Sequence, residues 1–423
     1  MQVIETFGHY VEKWSAKSPK RARRLLKTGW EAQNLKFRFT PDKRLLPADQ
    51  HLANMMMDAM LKPLKDPEHS VMVSIFTPCE LLQEAGLNPY NVEGFSCYLS
   101  GSKAERAFLQ AAEDFGLSET LCSYHKTFIG AALNGILPKP RCIVYTSLAC
   151  DANLLTFKEM ADLYQVPCFA IDIPAISDSG QDTKNIAYVA GQLRDLTAFL
   201  EKNTGRKIDE EKLRERLKRS RRTLETYDAF QKACADKYVP TDLVSPLYSG
   251  MTQNILLGTR EEAEYVNRLL KDLEKAEPSK GKRIYWMHTI PFWSDAVKKE
   301  LLFNEKAQIV GCELAQVANL EHHSDDPYED MAMRLYYHAL NGSITRRIDA
   351  GIRHAKEAKA DGAIWFNHWG CKHTLGGSQL AKRKFEAEGI PMLILDGDGC
   401  DRSHGGEGQT STRLGAFLEM LNE

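Results

Sequence analysis

Short, almost wholly apolar runs alternate with helix-spaced stretches over two separate parts of the chain. In the first part, Val71-Met-Val-Ser-Ile-Phe76, Gly94-Phe-Ser-Cys-Tyr98, Cys142-Ile-Val-Tyr-Thr-Ser-Leu148 and Cys168-Phe-Ala-Ile-Asp-Ile173 read as strands. In the second, Arg283-Ile-Tyr-Trp-Met-His288, Gln308-Ile-Val-Gly311, Ala363-Ile-Trp-Phe-Asn367 and Met392-Leu-Ile-Leu-Asp396 do so. Helical stretches such as Leu154 to Tyr164 separate them. Strands that are apolar on both faces and joined by helices predict parallel sheets covered on both sides. Elsewhere the period is helical. Leu52 to Leu61 carries helix-spaced apolar residues, and Thr412 to Leu421 predicts an amphipathic C-terminal helix. The stretch from Asp178 to about Glu277 is charged, with acidic and basic residues at i,i+4 spacing in Glu210 to Lys218, and Pro278-Ser-Lys-Gly281 ends it with turn residues.

The expected fold class is therefore α/β: two similar Rossmann-like domains with parallel sheets, plus N-terminal and central helical segments. The boundaries fall at 1–66 for the N-terminal helical segment, 67–177 for the first α/β domain, 178–280 for the helical insertion or linker, and 281–423 for the second α/β domain with its C-terminal helix. The two α/β parts look like versions of one another. Tyr145-Thr-Ser-Leu-Ala-Cys150 leads into a helix and then Val166-Pro-Cys-Phe-Ala-Ile-Asp172. Trp365-Phe-Asn-His-Trp-Gly-Cys371 leads into a helix and then Ile390-Pro-Met-Leu-Ile-Leu-Asp396. The limited grammar of a βαβ unit explains the strand, helix and proline; it does not explain the matched cysteine.

Charge narrows the partners. The 55 basic and 57 acidic residues leave a net charge of -2, which gives no reason to expect nucleic acid or an anionic membrane. The basic stretch Lys17 to Lys27 reads as a solvated helix face. No apolar run approaches the roughly 18 residues of a membrane span, and the N-terminus lacks a secretory pattern, so a cytoplasmic location is expected. No G-x-x-x-x-G-K-[ST] loop occurs, Gly376-Gly-Ser378 and Gly405-Gly406 are too short to cradle phosphate, and no G-x-G-x-x-G follows a strand, so no nucleotide is expected on this chain.

The ten cysteines carry the chemistry. In a reducing compartment disulfides are not the expected use. Cys142 and Cys168 begin apolar strands, Cys234 sits in a charged helix and Cys97 lies within or at the end of a strand; all four read as small core hydrophobes. The other six gather elsewhere. Cys79, Cys150, Cys312, Cys371 and Cys400 follow strands, where ligands collect in open α/β sheets, and Cys122 lies in a loop before a helix. Pro78, Gly311, Gly370 and Gly399 crowd them, as expected where backbone must approach a ligand closely. The absence of any C-x-x-C pair speaks against zinc ribbons, thioredoxin-type sites and ferredoxin-type clusters. A site assembled from both domains stays open.

Thr77-Pro-Cys-Glu-Leu-Leu82, Leu121-Cys-Ser-Tyr124, Leu148-Ala-Cys-Asp-Ala-Asn153, His368-Trp-Gly-Cys-Lys-His373 and Glu407-Gly-Gln-Thr-Ser-Thr-Arg-Leu-Gly-Ala-Phe-Leu-Glu419 together resemble the 2-hydroxyacyl-CoA dehydratase and benzoyl-CoA reductase subunit family. The resemblance runs from about residue 67 to the C-terminus. It implies a [4Fe-4S] cluster held by Cys79, Cys122 and Cys371, with one site open. Cys150, Cys312 and Cys400 depart from the dehydratase pattern and look more like the double-cubane cluster proteins, whose [8Fe-9S] cofactor needs six cysteines. The second cubane would then fall to Cys150, Cys312 and Cys400. The resemblance further implies a homodimer and a separate homodimeric ATPase, carrying its own [4Fe-4S] cluster, as electron donor.

Three readings follow: a double-cubane, ATP-coupled reductase of small unsaturated molecules, an iron–sulfur oxidoreductase; a dehydratase subunit with one [4Fe-4S] cluster and a CoA thioester substrate; or an electron carrier or cluster store. The extra cysteines favour the first. Proton donors by sequence proximity are Glu80, His125, Lys126, His288, His368 and His373. Lys372 and Arg402 offset cluster charge.

Overall fold

The computed structural model describes residues 2–177, 180–317, 320–404 and 406–422; Asp178, the expected start of the central segment, and Gly405 lie outside them. Eight strands form two four-stranded sheets. The first holds β1 (Ser70–Val73), β2 (Asn88–Asn91), β3 (Cys142–Thr146) and β4 (Cys168–Ile171), and the second β5 (Lys282–Met287), β6 (Ala307–Cys312), β7 (Gly362–His368) and β8 (Met392–Gly397). Their orders are β2-β1-β3-β4 and β6-β5-β7-β8, and every pairing is parallel. The two sheets thus share one topology, and each presents all its strand ends of one polarity along a single edge. β3 and β7 are buried along their whole length, as strands covered on both faces must be.

One predicted strand is a helix. Gly94 to Tyr98 lies within the helix Val92–Gly101, and the strand that pairs with β1 is the preceding Asn88–Asn91. The physical reason is local. Asn91 caps the helix, its side chain accepting from the Gly94 N–H at 2.7 Å. Residues 94 to 100 are all buried, so the run has no polar face to reveal a helical period. Pro89 marks β2 as an edge strand, the one place in a sheet where its missing N–H is tolerated. Consequently Cys97 is a helical residue.

Helices Gln2–Lys17, Pro19–Phe39 and Pro47–Lys65 precede the first sheet, and Asp182–Thr204, Glu210–Ala233, Ser245–Ile255 and Arg260–Glu274 lie between the sheets in sequence. A single apolar core runs from the N-terminal helices through the first sheet and the central helices to one face of the second sheet; a smaller core around Trp365 and Phe385 covers that sheet's other face. Among the described residues, no helix is long and apolar enough to cross a membrane.

A buried ion pair ties the parts together. Glu80 opens the helix Glu80–Glu84 and is fully buried. Arg334, on the helix Pro327–Tyr336, donates to both its oxygens at 2.8 and 2.9 Å, and Ser220 of the central helix Glu210–Ala233 donates at 2.8 Å. Removing one partner of such a pair strands the other charge, whereas removing both does not. Arg334→Met is therefore expected to destabilise the cluster-free protein by about 3 kcal/mol, and the double variant Glu80→Gln, Arg334→Met to recover most of it. Urea unfolding midpoints check this; equal midpoints for wild type and Arg334→Met would remove the pair from the account.

Candidate functional site

Five of the six candidate cysteines stand immediately before the first turn of a helix. Cys79, Cys122, Cys150 and Cys371 precede the helices beginning at Glu80, Ser123, Asp151 and Lys372, and Cys312 precedes a 3-10 turn at Glu313. Cysteine is not among the residues that cap helices well, so its presence there is not explained by helix stability. The position does suit a thiolate. The first N–H groups of a helix have no internal partner and carry its positive end. The His125 N–H faces the Cys122 sulfur, and the Asn153 and Ala152 N–H groups face that of Cys150.

Three of these cysteines meet. Cys122 and Cys150 from the first domain and Cys371 from the second line one cavity of about 130 Å³ between the domains. Burial, and then the neighbouring Cys371 and Cys150, push the Cys122 thiol well up; burial pushes Cys150 up to about 12, with Cys371 adding to it. Cys79, Cys312 and Cys400 are buried and do not line this cavity. The Cys312 sulfur contacts the His288 carbonyl at 3.5 Å, and Cys400 lies against Thr127 Oγ1 at 3.4 Å and the Ser96 carbonyl at 3.7 Å. The cavity therefore groups Cys122, Cys150 and Cys371, a trio distinct from either set of three assigned from the family pattern.

Each of these three cysteines faces a histidine. His368 Nε2 lies 3.2 Å from Cys122, His125 Nε2 3.5 Å from Cys150, and His288 Nε2 3.8 Å from Cys371. Burial lowers the pKa of all three rings, His125 to about 3, so they are neutral at pH 7. Their other nitrogens decide what each offers. His368 Nδ1 accepts the Gly399 N–H at 3.0 Å, so the proton sits on Nε2 and is donated toward Cys122. The Thr156 hydroxyl donates to the Ala152 carbonyl, so His125 Nδ1 donates to Thr156 at 2.8 Å and turns a lone pair toward Cys150. The two neutral rings thus present opposite faces: a donor to Cys122 and an acceptor to Cys150. His288 holds a backbone φ of 76°, and its buried Nδ1 has no partner. Non-glycine residues in that conformation cost energy and cluster at functional sites.

Arg347 and His373 also line the cavity. Arg347 is fixed by Glu313 at 2.6 Å, stands over the Trp365 ring and donates to the His373 carbonyl. Glu313 in turn accepts the His288 N–H at 2.9 Å. Arg347 thus places a buried cation beside Cys371. Other predicted donors lie elsewhere: Glu80 is held by Arg334 and Ser220, and Lys126 is tied to Glu113 at 2.6 Å. Lys372 is exposed, and Arg402 pairs with Glu105 at 2.8 Å.

Sequence reasoning missed Glu93, Cys97 and Arg347, all on the cavity wall. Glu93 and Cys97 are four residues apart on one helix face, a spacing hidden while the segment read as a strand. Arg347 lies far from any cysteine in sequence. A second, apolar cleft of about 780 Å³, with Trp30, Tyr98 and Phe292 in its walls, shares Cys97, Leu247 and Met251 with the cavity's lining and lies against the N-terminal helices. Lys36 is the one charged residue on its lining.

Residues 74–421 match the family model described as 2-hydroxyglutaryl-CoA dehydratase, D-component. The chain is 24% identical to the (R)-2-hydroxyisocaproyl-CoA dehydratase alpha subunit of Clostridioides difficile, over 83% of this chain and 89% of that protein. It is 23% identical to the (R)-phenyllactyl-CoA dehydratase alpha subunit of Clostridium sporogenes, over 81% and 87%, and 25% identical to the beta subunit of the same organism's enzyme, over 82% and 90%. With two equivalent parallel sheets delivering cysteines to one interdomain cavity, and a family match spanning most of its length, this chain belongs to the 2-hydroxyacyl-CoA dehydratase family.

Proposed function

We propose that this protein is an iron–sulfur reductase that carries an [8Fe-9S] double-cubane cluster and reduces small unsaturated molecules at low potential. The observation that carries the iron–sulfur reading is the convergence of Cys122, Cys150 and Cys371, from both domains, on one buried cavity. Their donor set fits such a group. Three soft sulfur ligands surround a void, and among the described residues no three histidine, cysteine, aspartate or glutamate side chains are disposed to chelate a single ion. Three thiolates in one cavity repel each other, and a cationic iron core removes that repulsion. The six-thiolate reading adds Cys79, Cys312 and Cys400, each buried. When bound, the cluster supplies electrons of very negative potential.

The chain's own residues supply the surroundings. Helix-start N–H groups face the sulfurs and raise the potential of whatever the sulfurs hold. His368 fixes Cys122 by its Nε2 proton, and Arg347 balances charge at Cys371. The apolar cleft past Leu247 and Met251 gives a small uncharged substrate a route in and keeps bulk water out. Electrons come from a separate homodimeric, ATP-hydrolysing protein with its own [4Fe-4S] cluster, and this chain acts as a homodimer. A second reading, a dehydratase subunit with one [4Fe-4S] cluster and a CoA thioester substrate, is favoured by the relatives' names and by the fact that three thiols rather than six line the cavity.

Two outcomes are expected. Anaerobically purified protein should contain about eight irons per chain, and Cys400→Ser should lower that count and alter the EPR spectrum; a count near four supports the dehydratase reading, and an unchanged Cys400→Ser protein removes the six-thiolate assignment. Cluster loading should also depend on pH. Thiols held above their ordinary pKa are protonated at pH 7, and ligation requires thiolates, so loading releases protons and is favoured as pH rises. Reconstitution of the iron-free protein should be more complete at pH 8.5 than at pH 7 at equal iron and sulfide; equal yields would contradict it.

A further inference from the structure

Glu93 carries a buried carboxyl group at a helix start, where its own N–H, the Ile75 N–H and the Asn91 side chain bear on it. It lies in the first turn of the helix Val92–Gly101, on the wall of the thiol cavity. One oxygen, Oε1, receives a long contact of 3.5 Å from the Ile75 N–H; the other, Oε2, is shielded from solvent and has no hydrogen-bond partner. Among the described residues no arginine, lysine or histidine forms an ion pair with it. The titratable groups that bear on it are the Cys97 thiol, one turn along its own helix, and the Cys150 thiol from the loop after β3; His125, His288, His368, His373, Cys122, Cys371 and Arg347 face the same cavity from other elements. An unpaired carboxylate there is costly, so burial favours the neutral acid and lifts its pKa to about 7. Nearby histidines do not duplicate it: His125 and His368 are neutral with both nitrogens committed. Glu80, the carboxyl nearest a cysteine in sequence, is locked in its ion pair.

We infer that Glu93 is a catalytic acid, which touches the substrate in the cavity and hands it a proton. The inference rests on the reductase reading. Reduction of a carbon–carbon multiple bond consumes two electrons, from the low-potential donor, and two protons. Glu93 gives one: its O–H bond breaks, a C–H bond forms on the substrate, and the carboxylate left behind takes a proton from water. The second proton comes from solvent. A carboxyl group with pKa near the working pH is suited to both halves of that cycle. The apolar cleft also adjoins this wall: it shares Cys97, Leu247 and Met251 with the cavity's lining, and Cys97 lies on the helix face that carries Glu93.

The test uses Glu93→Gln, which keeps size and removes the acid, and Glu93→Asp, which keeps the acid. Both are compared with wild type as cluster-loaded protein, with acetylene as the probe, a low-potential chemical reductant as donor and ethylene as the measured product. Iron content and EPR spectrum are expected to match wild type in Glu93→Gln, thermal stability to be equal or higher, and turnover to fall about 100-fold or more, with partial recovery in Glu93→Asp. A purely structural glutamate would instead lose stability on substitution. Wild-type turnover in Glu93→Gln overturns the inference. Independently, infrared titration of the iron-free protein should show a protonated carboxyl at pH 6 that ionises near pH 7 and is absent from Glu93→Gln; a group already ionised at pH 6 overturns the inference as well. Should loaded wild-type protein fail to reduce acetylene, the reductase reading fails, and the infrared titration alone decides whether Glu93 is the cavity's acid.

Discussion

Mutual repulsion between buried thiolates is the constraint on which the rest of this structure depends. Cys122, Cys150 and Cys371 line one cavity between the sheets, each half-buried in its wall. Ionised together without a counter-charge, they would push the domains apart; protonated, they are three weak donors with little to bind. Each surrounding feature softens that conflict in one direction. Helix-start N–H groups and the His368 Nε2 proton favour negative sulfur, and the Arg347 guanidinium places a cation beside Cys371. The protein alone does not finish the task, because burial still holds Cys150 near 12. Under the proposed function a cationic core would complete it and join the two domains through the group they share.

Parallel topology makes such a site possible. A parallel sheet gathers its strand ends, and therefore its helix starts, on one edge. Two sheets of the same order supply two such edges, and the cavity lies where first-domain Cys122 and Cys150 face second-domain Cys371. The clamp of Glu80, Arg334 and Ser220 fixes the parts from beside it. His288, at a positive φ just after β5, is the point where backbone strain is accepted so that a ring can face Cys371.

Much of this was legible in the sequence because it follows from short-range rules. Seven of the eight strands fall on apolar runs such as Ala363 to Asn367, and the paired pattern of strand, loop, cysteine and helix at Cys150 and Cys371 foretold the repeated topology. The exception, Gly94 to Tyr98, failed because a helix buried nearly all round shows no period, and that one error hid both Glu93 and Cys97. Cysteine positions at strand ends were legible; which sulfurs share a cavity was not, since that depends on how two domains are docked. The same holds for Arg347, brought in by a helix with no cysteine near it, and for the tautomers of His125 and His368, which are set by Thr156 and the Gly399 N–H.

The central claim is that sulfurs from both domains hold one iron–sulfur core in the cavity between the sheets. Anomalous iron scattering from crystals grown without oxygen tests it most directly. The account predicts iron peaks within bonding distance of Cys122, Cys150 and Cys371, bridging the two domains; iron confined to one domain, or none in this cavity, would contradict it.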